Sequence, residues 1–233
     1  MKRIDVKLNV TMCGRYSLIG IDDLGNRFRV FNPSIGFRSH FNITPGSMNP
    51  VIVQHERTEM IMMQWGLIPY WAKDIRTIQH PINARAEGLT EKPMFRELLK
   101  DKRCLIPASG FYEWKKELKR KIPFYLHLKD NPVFSFAGLY DVWHNPAGDV
   151  LKTYTIITTN SNNLIVPIHN RMPVILNRED EGRWLSREPL TSNEMQKILA
   201  PYPADGMEVY PVSERVNSPT VDDERLIQPL KGL

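Results

Sequence analysis

Two nearby stretches, Phe111-Tyr112-Glu113-Trp114-Lys115-Lys116 and Phe124-Tyr125-Leu126-His127-Leu128, predict the two strands of a β-hairpin. In the second stretch, apolar residues occupy every other position, as in a strand with one buried face. The residues that join the two stretches are rich in lysine. We expect them to form an exposed hairpin tip, either as a solvated turn or as a contact for a polyanion.

Further strands and short helices follow without regular alternation. A doubly wound parallel sheet would need a helix between successive strands, so this order predicts an α+β fold. We expect a single domain with a mixed, largely antiparallel, barrel-like sheet flanked by short helices. The predicted strands cover residues 13–18, 51–54, 60–65, 133–139, 154–158 and 209–212, and the predicted helices cover 21–31, 94–100, 180–185 and 193–199.

Composition excludes several classes of protein. The chain has 233 residues, 42% of them hydrophobic, and no apolar run approaches the roughly 20 residues of a membrane helix. The basic start lacks the features of a secretory signal, so we expect a cytoplasmic protein with no membrane partner. Two cysteines without paired ligand spacing predict neither disulfides nor a metal site. Because no phosphate-binding loop is present either, we expect no cofactor.

Cys13 lies in Met12-Cys13-Gly14-Arg15-Tyr16 and is the first candidate for chemistry. Taken alone, it is an ordinary buried cysteine of a first strand. A cysteine at a chain terminus, however, carries an α-amine with a pKa of about 7.7–8.0 beside a thiol with a pKa of about 8.5. Such a pair can condense with an aldehyde, whereas an internal cysteine forms only a reversible hemithioacetal.

Three other motifs offer groups that such a cysteine would need. Glu113 lies between aromatic residues that disfavour its charged form, which suits an acid/base group, although it could instead pair with a neighbouring lysine. His169 changes charge near neutral pH but is equally compatible with a structural role. Asn83 can hold a backbone or a sugar by hydrogen bonds, or cap a turn. The motifs are Asn83-Ala84-Arg85-Ala86-Glu87, Gly110-Phe111-Tyr112-Glu113-Trp114 and His169-Asn170-Arg171-Met172-Pro173.

Together the four motifs resemble those of the SOS-response-associated peptidase (SRAP) family, which captures abasic sites in single-stranded DNA. The resemblance implies that Cys13 is the nucleophile of a thiazolidine crosslink and that Glu113 acts in Schiff-base chemistry and self-processing. It also implies that His169 protonates the sugar oxygen and aids crosslink reversal, and that Asn83 positions the reacting groups.

The position of Cys13 departs from the family pattern. The SRAP cysteine directly follows an initiator methionine, whereas twelve residues precede Cys13 here. We therefore expect residues 1–11 to be an extension that is absent from the mature protein and residues 12–233 to form the SRAP-like domain. Translation from Met12 or removal of the extension would leave Cys13 terminal.

The resemblance also implies a surface for DNA. Arginine can grip phosphates without reading sequence, and aromatic side chains can stack on any base. The arginines could instead form internal ion pairs. Expected partners are single-stranded DNA with abasic sites and the replication machinery, bound by a nucleoid-associated monomer. The candidate DNA-binding residues are Arg15, Asn42, Pro45, Tyr70, Trp71, Arg85, Thr158 and Arg171.

Two other functions fit the same sequence. A non-covalent single-strand binder would use the basic and aromatic residues but leave the cysteine inert. A cysteine peptidase acting in trans would pair Cys13 with His169 as nucleophile and base. Covalent capture of an abasic oligonucleotide separates the SRAP function from both.

Overall fold

The computed structural model describes residues 13–32, 36–118, 120–145 and 147–230. The predicted extension 1–11 and Met12 lie outside the described residues, as does Lys119 of the hairpin tip. No described helix is long and apolar enough to cross a membrane.

The described part of the chain contains twelve strands and four α-helices, with short 3₁₀ turns between them. The strands are β1 (Tyr16–Leu18), β2 (His40–Ile43), β3 (Met48–Gln54), β4 (Thr58–Trp65), β5 (Asn83–Arg85), β6 (Arg103–Ala108), β7 (Gly110–Glu117), β8 (Arg120–Leu128), β9 (Phe134–His144), β10 (Val150–Asn160), β11 (Arg171–Pro173) and β12 (Met207–Pro211). The helices are α1 (Leu24–Phe28), α2 (Pro93–Asp101), α3 (Arg178–Leu185) and α4 (Ser192–Ile198).

Five strands close into a small mixed barrel. They follow the order β10-β4-β3-β6-β9, and β9 pairs with β10 to complete the ring. The β4–β10 pair is parallel, and the other neighbours in the ring are antiparallel. Strands β5 and β11 extend the ring by pairing with the later part of β10. The single α+β domain with a barrel-like sheet is therefore confirmed.

Close contact between strands inside the barrel depends on Gly138 of β9. A Cβ atom there would lie 2.2 Å from Cδ1 of Ile106 and 2.9 Å from the carbonyl oxygen of Thr155. Both distances are shorter than van der Waals contact, so any larger residue would force β6 and β10 away from β9. Glycine is the residue that permits this approach.

A second, antiparallel sheet lies beside the barrel in the order β12-β8-β7-β1-β2. It contains the predicted hairpin as β7 and β8, which is confirmed with slightly longer strands. Tyr125 of β8, expected on the more exposed face, is buried. The reason is the C-terminal segment, which covers that face with Val212, Val216 and Leu226.

Two predicted elements near the N-terminus need correction. The first strand begins at Tyr16 rather than at Cys13, because Cys13 has a φ of 40° and cannot continue an extended strand. The helix predicted for residues 21–31 ends at Phe28, and the side chain of Phe31 is 65% exposed. Arg29 follows the helix in the left-handed conformation, which ends the helical run.

Candidate active site

Cys13 and Glu113 meet inside the second sheet. Strand β1 pairs with β7 through Tyr16 opposite Phe111, so the residues just before β1 run beside Glu113. The backbone nitrogen of Cys13 donates a hydrogen bond to Oε1 of Glu113 at 2.7 Å. Cys13 is fully buried and Glu113 is 3% exposed. Two of the predicted catalytic residues are therefore in direct contact.

Burial controls the protonation of both side chains. Removal from water raises the pKa of Glu113 to about 8, against the opposing effect of the backbone N–H groups of Cys13 and Trp114. Burial, and then the Glu113 charge, raise the pKa of the Cys13 thiol well above its usual value. At neutral pH this site therefore holds a protonated carboxyl group, which can give a proton to the nitrogen of Cys13.

His169 lies in the loop before β11 and is partly buried. Its Nδ1 lies 3.0 Å from the backbone nitrogen of Arg171, which donates to the neutral ring, and 3.3 Å from the carbonyl oxygen of the same residue. Burial lowers the pKa of His169, and the charges of Lys116 and Arg171 lower it further. The neutral form of the imidazole is therefore favoured at neutral pH.

Arg171 forms an internal ion pair. Its guanidinium donates to both carboxylate oxygens of Glu87 at 2.5 and 2.9 Å, to Oδ1 of Asn160 and to the carbonyl oxygen of Thr158. The guanidinium lowers the pKa of Glu87 mainly through these hydrogen bonds. Arg171 is 8% exposed and Thr158 is fully buried. This geometry favours the ion-pair alternative over a direct phosphate contact for Arg171, and the buried Thr158 supports it with a backbone carbonyl oxygen.

Strand β5 presents two more predicted residues at the edge of the barrel. It pairs in parallel with β10, which places Asn83 opposite Ile156 and Arg85 opposite Thr158. Asn83 is partly buried, whereas Arg85 is exposed. Arg85 was predicted to contact a phosphate, and its charged side chain is exposed to solvent at this edge.

Arg15 and Asn42 connect the start of β1 to the C-terminal segment. Nη1 of Arg15 donates to Oδ1 of Asn42 at 2.7 Å and to the carbonyl oxygen of Val216 at 2.6 Å. The Asn42 amide donates to the carbonyl oxygens of Ser218 and Val221. Burial lowers the pKa of Arg15, and among the described residues no carboxylate forms an ion pair with its guanidinium. These contacts assign Asn42 a structural role that fixes the position of Arg15.

The remaining candidates lie on loops. Pro45 is partly buried between β2 and β3. Tyr70 and Trp71 are 67% and 54% exposed, so both are at the surface, whereas the nearby Trp65 is buried. Tyr70 and Trp71 line a shallow cleft against α2. The structure does not bring them into contact with Cys13.

Comparisons with known proteins decide the family. Residues 12–219 match the model of the SOS response associated peptidase (SRAP) family. This chain belongs to the SRAP family. It is 45% identical to the abasic site processing protein YoqW of Bacillus subtilis (strain 168), over 93% of this chain and 99% of that protein. It is 30% identical to the abasic site processing protein HMCES of Mus musculus, over 76% of this chain and 61% of that protein.

A solved structure supports the SRAP fold independently. The crystal structure of a protein from Bacteroides thetaiotaomicron superposes with a TM-score of 0.84 and 32% identity, covering 94% of this chain and all of that one. The predicted family is confirmed. In this SRAP domain, no cluster of three or more His, Cys, Asp or Glu side chains among the described residues could hold a metal ion.

Sequence reasoning missed two features of the SRAP site. Glu87 closes the Asn83-Ala84-Arg85-Ala86-Glu87 motif, and the presence of an acidic residue there could have signalled a partner for an arginine. The C-terminal contact with Arg15 had no signal in the sequence. It is made by a backbone carbonyl, that of Val216, which any residue would supply.

Proposed function

We propose that this SRAP protein captures ring-opened abasic sites in single-stranded DNA through a thiazolidine formed by a terminal Cys13. The observation that carries the proposal is the 2.7 Å contact between the nitrogen of Cys13 and Oε1 of Glu113. In a chain that begins at Cys13, the same nitrogen is the α-amine. The carboxyl group of Glu113, whose pKa is raised, then lies within hydrogen-bond distance of the nitrogen that must exchange protons.

The proposed reaction has two bond-forming steps. The α-amine of Cys13 adds to the aldehyde carbon of the opened sugar, and the hydroxyl of the resulting carbinolamine leaves as water with a proton from Glu113. The Glu113 carboxylate then takes the remaining proton from the nitrogen, which leaves a neutral imine. The thiol of Cys13 then adds to the imine carbon and its proton moves to the nitrogen, which closes the five-membered ring. One water is lost overall. His169 supplies a proton to the sugar oxygen when the ring opens.

The same carboxyl group supports release of the preceding residue. Hydrolysis of the bond between residues 12 and 13 adds water to the carbonyl and returns a proton to the nitrogen of Cys13. The φ of 40° at Cys13 is costly for a side chain that is not glycine, by about 1 kcal/mol or more. That torsion no longer exists once the preceding carbonyl is gone. Cleavage therefore relieves strain as it creates the α-amine.

The DNA contact is proposed for the exposed residues of the predicted set. Arg85 contacts a phosphate beside the trapped sugar, and Tyr70 or Trp71 stacks on an unpaired base. Thr158 lies opposite Arg85 on the neighbouring strand, and Arg171 holds the Thr158 carbonyl oxygen, so both residues support Arg85. Arg15, which Asn42 holds in place, and Pro45 are proposed to border the bound strand. Single-stranded DNA exposed during replication is the proposed source of the substrate.

The test compares the chain that starts at Cys13 with residues 1–233 on abasic and intact oligonucleotides. We expect a denaturant-resistant adduct only with the abasic strand and only in chains whose Cys13 is terminal, so residues 1–233 should react only to the extent that intact mass shows residues 1–12 to be released. The adduct should be one water lighter than the sum of its parts. Cys13→Ala should abolish it. An adduct of equal yield with Cys13→Ala, or one mapped to another residue, would exclude the proposal. Equal retention of both oligonucleotides without an adduct would instead favour a non-covalent binder.

A further inference from the structure

The described residues at the tip of the β7–β8 hairpin, 115–118 with Arg120 and Lys121, concentrate positive charge close to the candidate site. Lys116 is exposed near the end of β7, and Arg120 and Lys121 begin β8. Glu117 is the acidic residue of the tip and already pairs with Lys115 at 2.5 Å. The tip thus presents several cations that its own carboxylate does not neutralise.

The tip and the candidate active site share one strand. Glu113 and Glu117 are four residues apart on β7, which corresponds to about 13 Å along an extended strand. Lys116 also lies near enough to His169 for its charge to disfavour the histidine cation. A strand of DNA that has its damaged sugar at Cys13 and runs along β7 would reach the tip within a few nucleotides.

Two features of the tip reduce the stability of the hairpin. Lys116 lies directly opposite Lys121, and like charges at facing positions are destabilising. Leu118 has a φ of 50° and is fully exposed, although glycine or asparagine forms such a turn at lower cost. Neither feature stabilises the folded hairpin. A polyanion with apolar base faces explains both, because its phosphates neutralise the lysines and a base covers the leucine.

We propose that this tip is a second DNA contact, in which Lys116 and Lys121 hold phosphates flanking the trapped sugar and Leu118 packs on a neighbouring base. The proposal rests on the proposed function for its choice of substrate. It adds a contact surface separate from Arg85, Tyr70 and Trp71. Its role is to hold the strand while the slower covalent steps proceed.

The experiment measures affinity for an intact single-stranded oligonucleotide across salt concentrations. The Lys116→Gln/Lys121→Gln variant should bind about tenfold more weakly at low salt, and its log–log salt slope should fall by about 1.4, since each lost contact with single strands removes about 0.7. Lys100→Gln/Lys129→Gln removes the same charge from α2 and from the far end of β8, and should leave the affinity near that of the parent. Lys116→Arg/Lys121→Arg should restore binding.

Leu118→Asn separates DNA contact from turn formation. Asparagine tolerates the left-handed conformation, so the thermal midpoint should stay level or rise. Affinity should nevertheless fall about threefold or more, because the apolar surface is lost. Unchanged affinity in both tip variants, with the parent still forming its adduct, would overturn this inference alone. Weakened binding by the tip variants, with no adduct in any chain, would overturn the covalent function and leave the tip contact standing.

Discussion

Glu113 and Glu181 are both buried carboxyl groups of this domain, and their surroundings differ. Glu181 accepts two hydrogen bonds from the guanidinium of Arg27, at 2.7 and 2.8 Å, and one from the hydroxyl of Ser135 at 2.7 Å. Glu113 accepts hydrogen bonds from the backbone nitrogens of Cys13 and Trp114. Among the described residues, no cation forms an ion pair with Glu113.

The difference distinguishes a carboxylate that stabilises the fold from a carboxyl group that can take part in a reaction. An ionised carboxylate loses several kcal/mol of hydration when buried, and a well-placed guanidinium offsets that loss. Glu181 has such a partner and joins α3 to α1 and β9. Glu113 lacks one, so burial raises its pKa to about 8 and it stays protonated at neutral pH. The uncompensated carboxyl group is the one that can exchange protons.

The largest expected effect is on the reaction. Glu113→Gln keeps the shape of the side chain but cannot transfer a proton, so adduct formation by the Cys13-terminal chain should slow by about 10²- to 10⁴-fold. Its stability should not fall, because no ion pair is lost. Single-turnover capture on denaturing gels and thermal unfolding measure the two quantities. A Glu113→Gln chain that reacts at the rate of the parent would show that Glu113 is not the acid/base group.

The matching change at the structural carboxylate should affect stability. Arg27→Ala leaves Glu181 buried without its cation and should lower the free energy of unfolding by about 3–5 kcal/mol, as for other broken buried pairs. The rate of adduct formation, measured at a temperature where the variant is folded, should stay near that of the parent. Urea unfolding provides the measurement. The double variant Arg27→Met/Glu181→Leu should lose less stability than Arg27→Ala, because no uncompensated charge remains.

The sequence could predict the features that depend on neighbouring residues, but not those that depend on contacts between distant parts of the chain. The β7–β8 hairpin depends on neighbouring residues and was predictable, as were α2, α3 and α4. The aromatic neighbours of Glu113 also indicated a raised pKa. The parallel pairing of β5 with β10 joins residues far apart in the chain, and no local pattern encodes it.

The internal partners of the arginines were harder to predict. Arg171 and Arg85 both lie in family motifs and carry the same charge, yet one is buried against Glu87 and the other is exposed. The separation arises because β11 and β5 flank the same part of β10, which only the folded chain reveals. Residue type therefore indicated a phosphate contact for both, and tertiary structure favours it for Arg85.

Glu113 should also make stability depend on pH. Its pKa is raised from 4.5 to about 8 on folding, so the folded chain binds more protons than the unfolded chain between these values. Stability is therefore highest below the unfolded pKa and falls as the pH rises towards 8. Between pH 6 and pH 8 the loss should be about 2–3 kcal/mol. Urea unfolding of the parent and Glu113→Gln over this range should show the slope in the parent alone, and parallel profiles would contradict it.

The smallest effect concerns the hydroxyl that completes the Glu181 site. Ser135→Ala removes one hydrogen bond to a charged group while Arg27 remains, so the free energy of unfolding should fall by about 1.5 kcal/mol. A double-mutant cycle with Arg27→Ala should show a coupling above about 0.5 kcal/mol, because both groups contact the same carboxylate. A cycle with Glu113→Gln should be additive, since the two sites share no partner. Coupling between Ser135 and Glu113 instead would mean that the two carboxyl groups are not independent, and the contrast between them would fail.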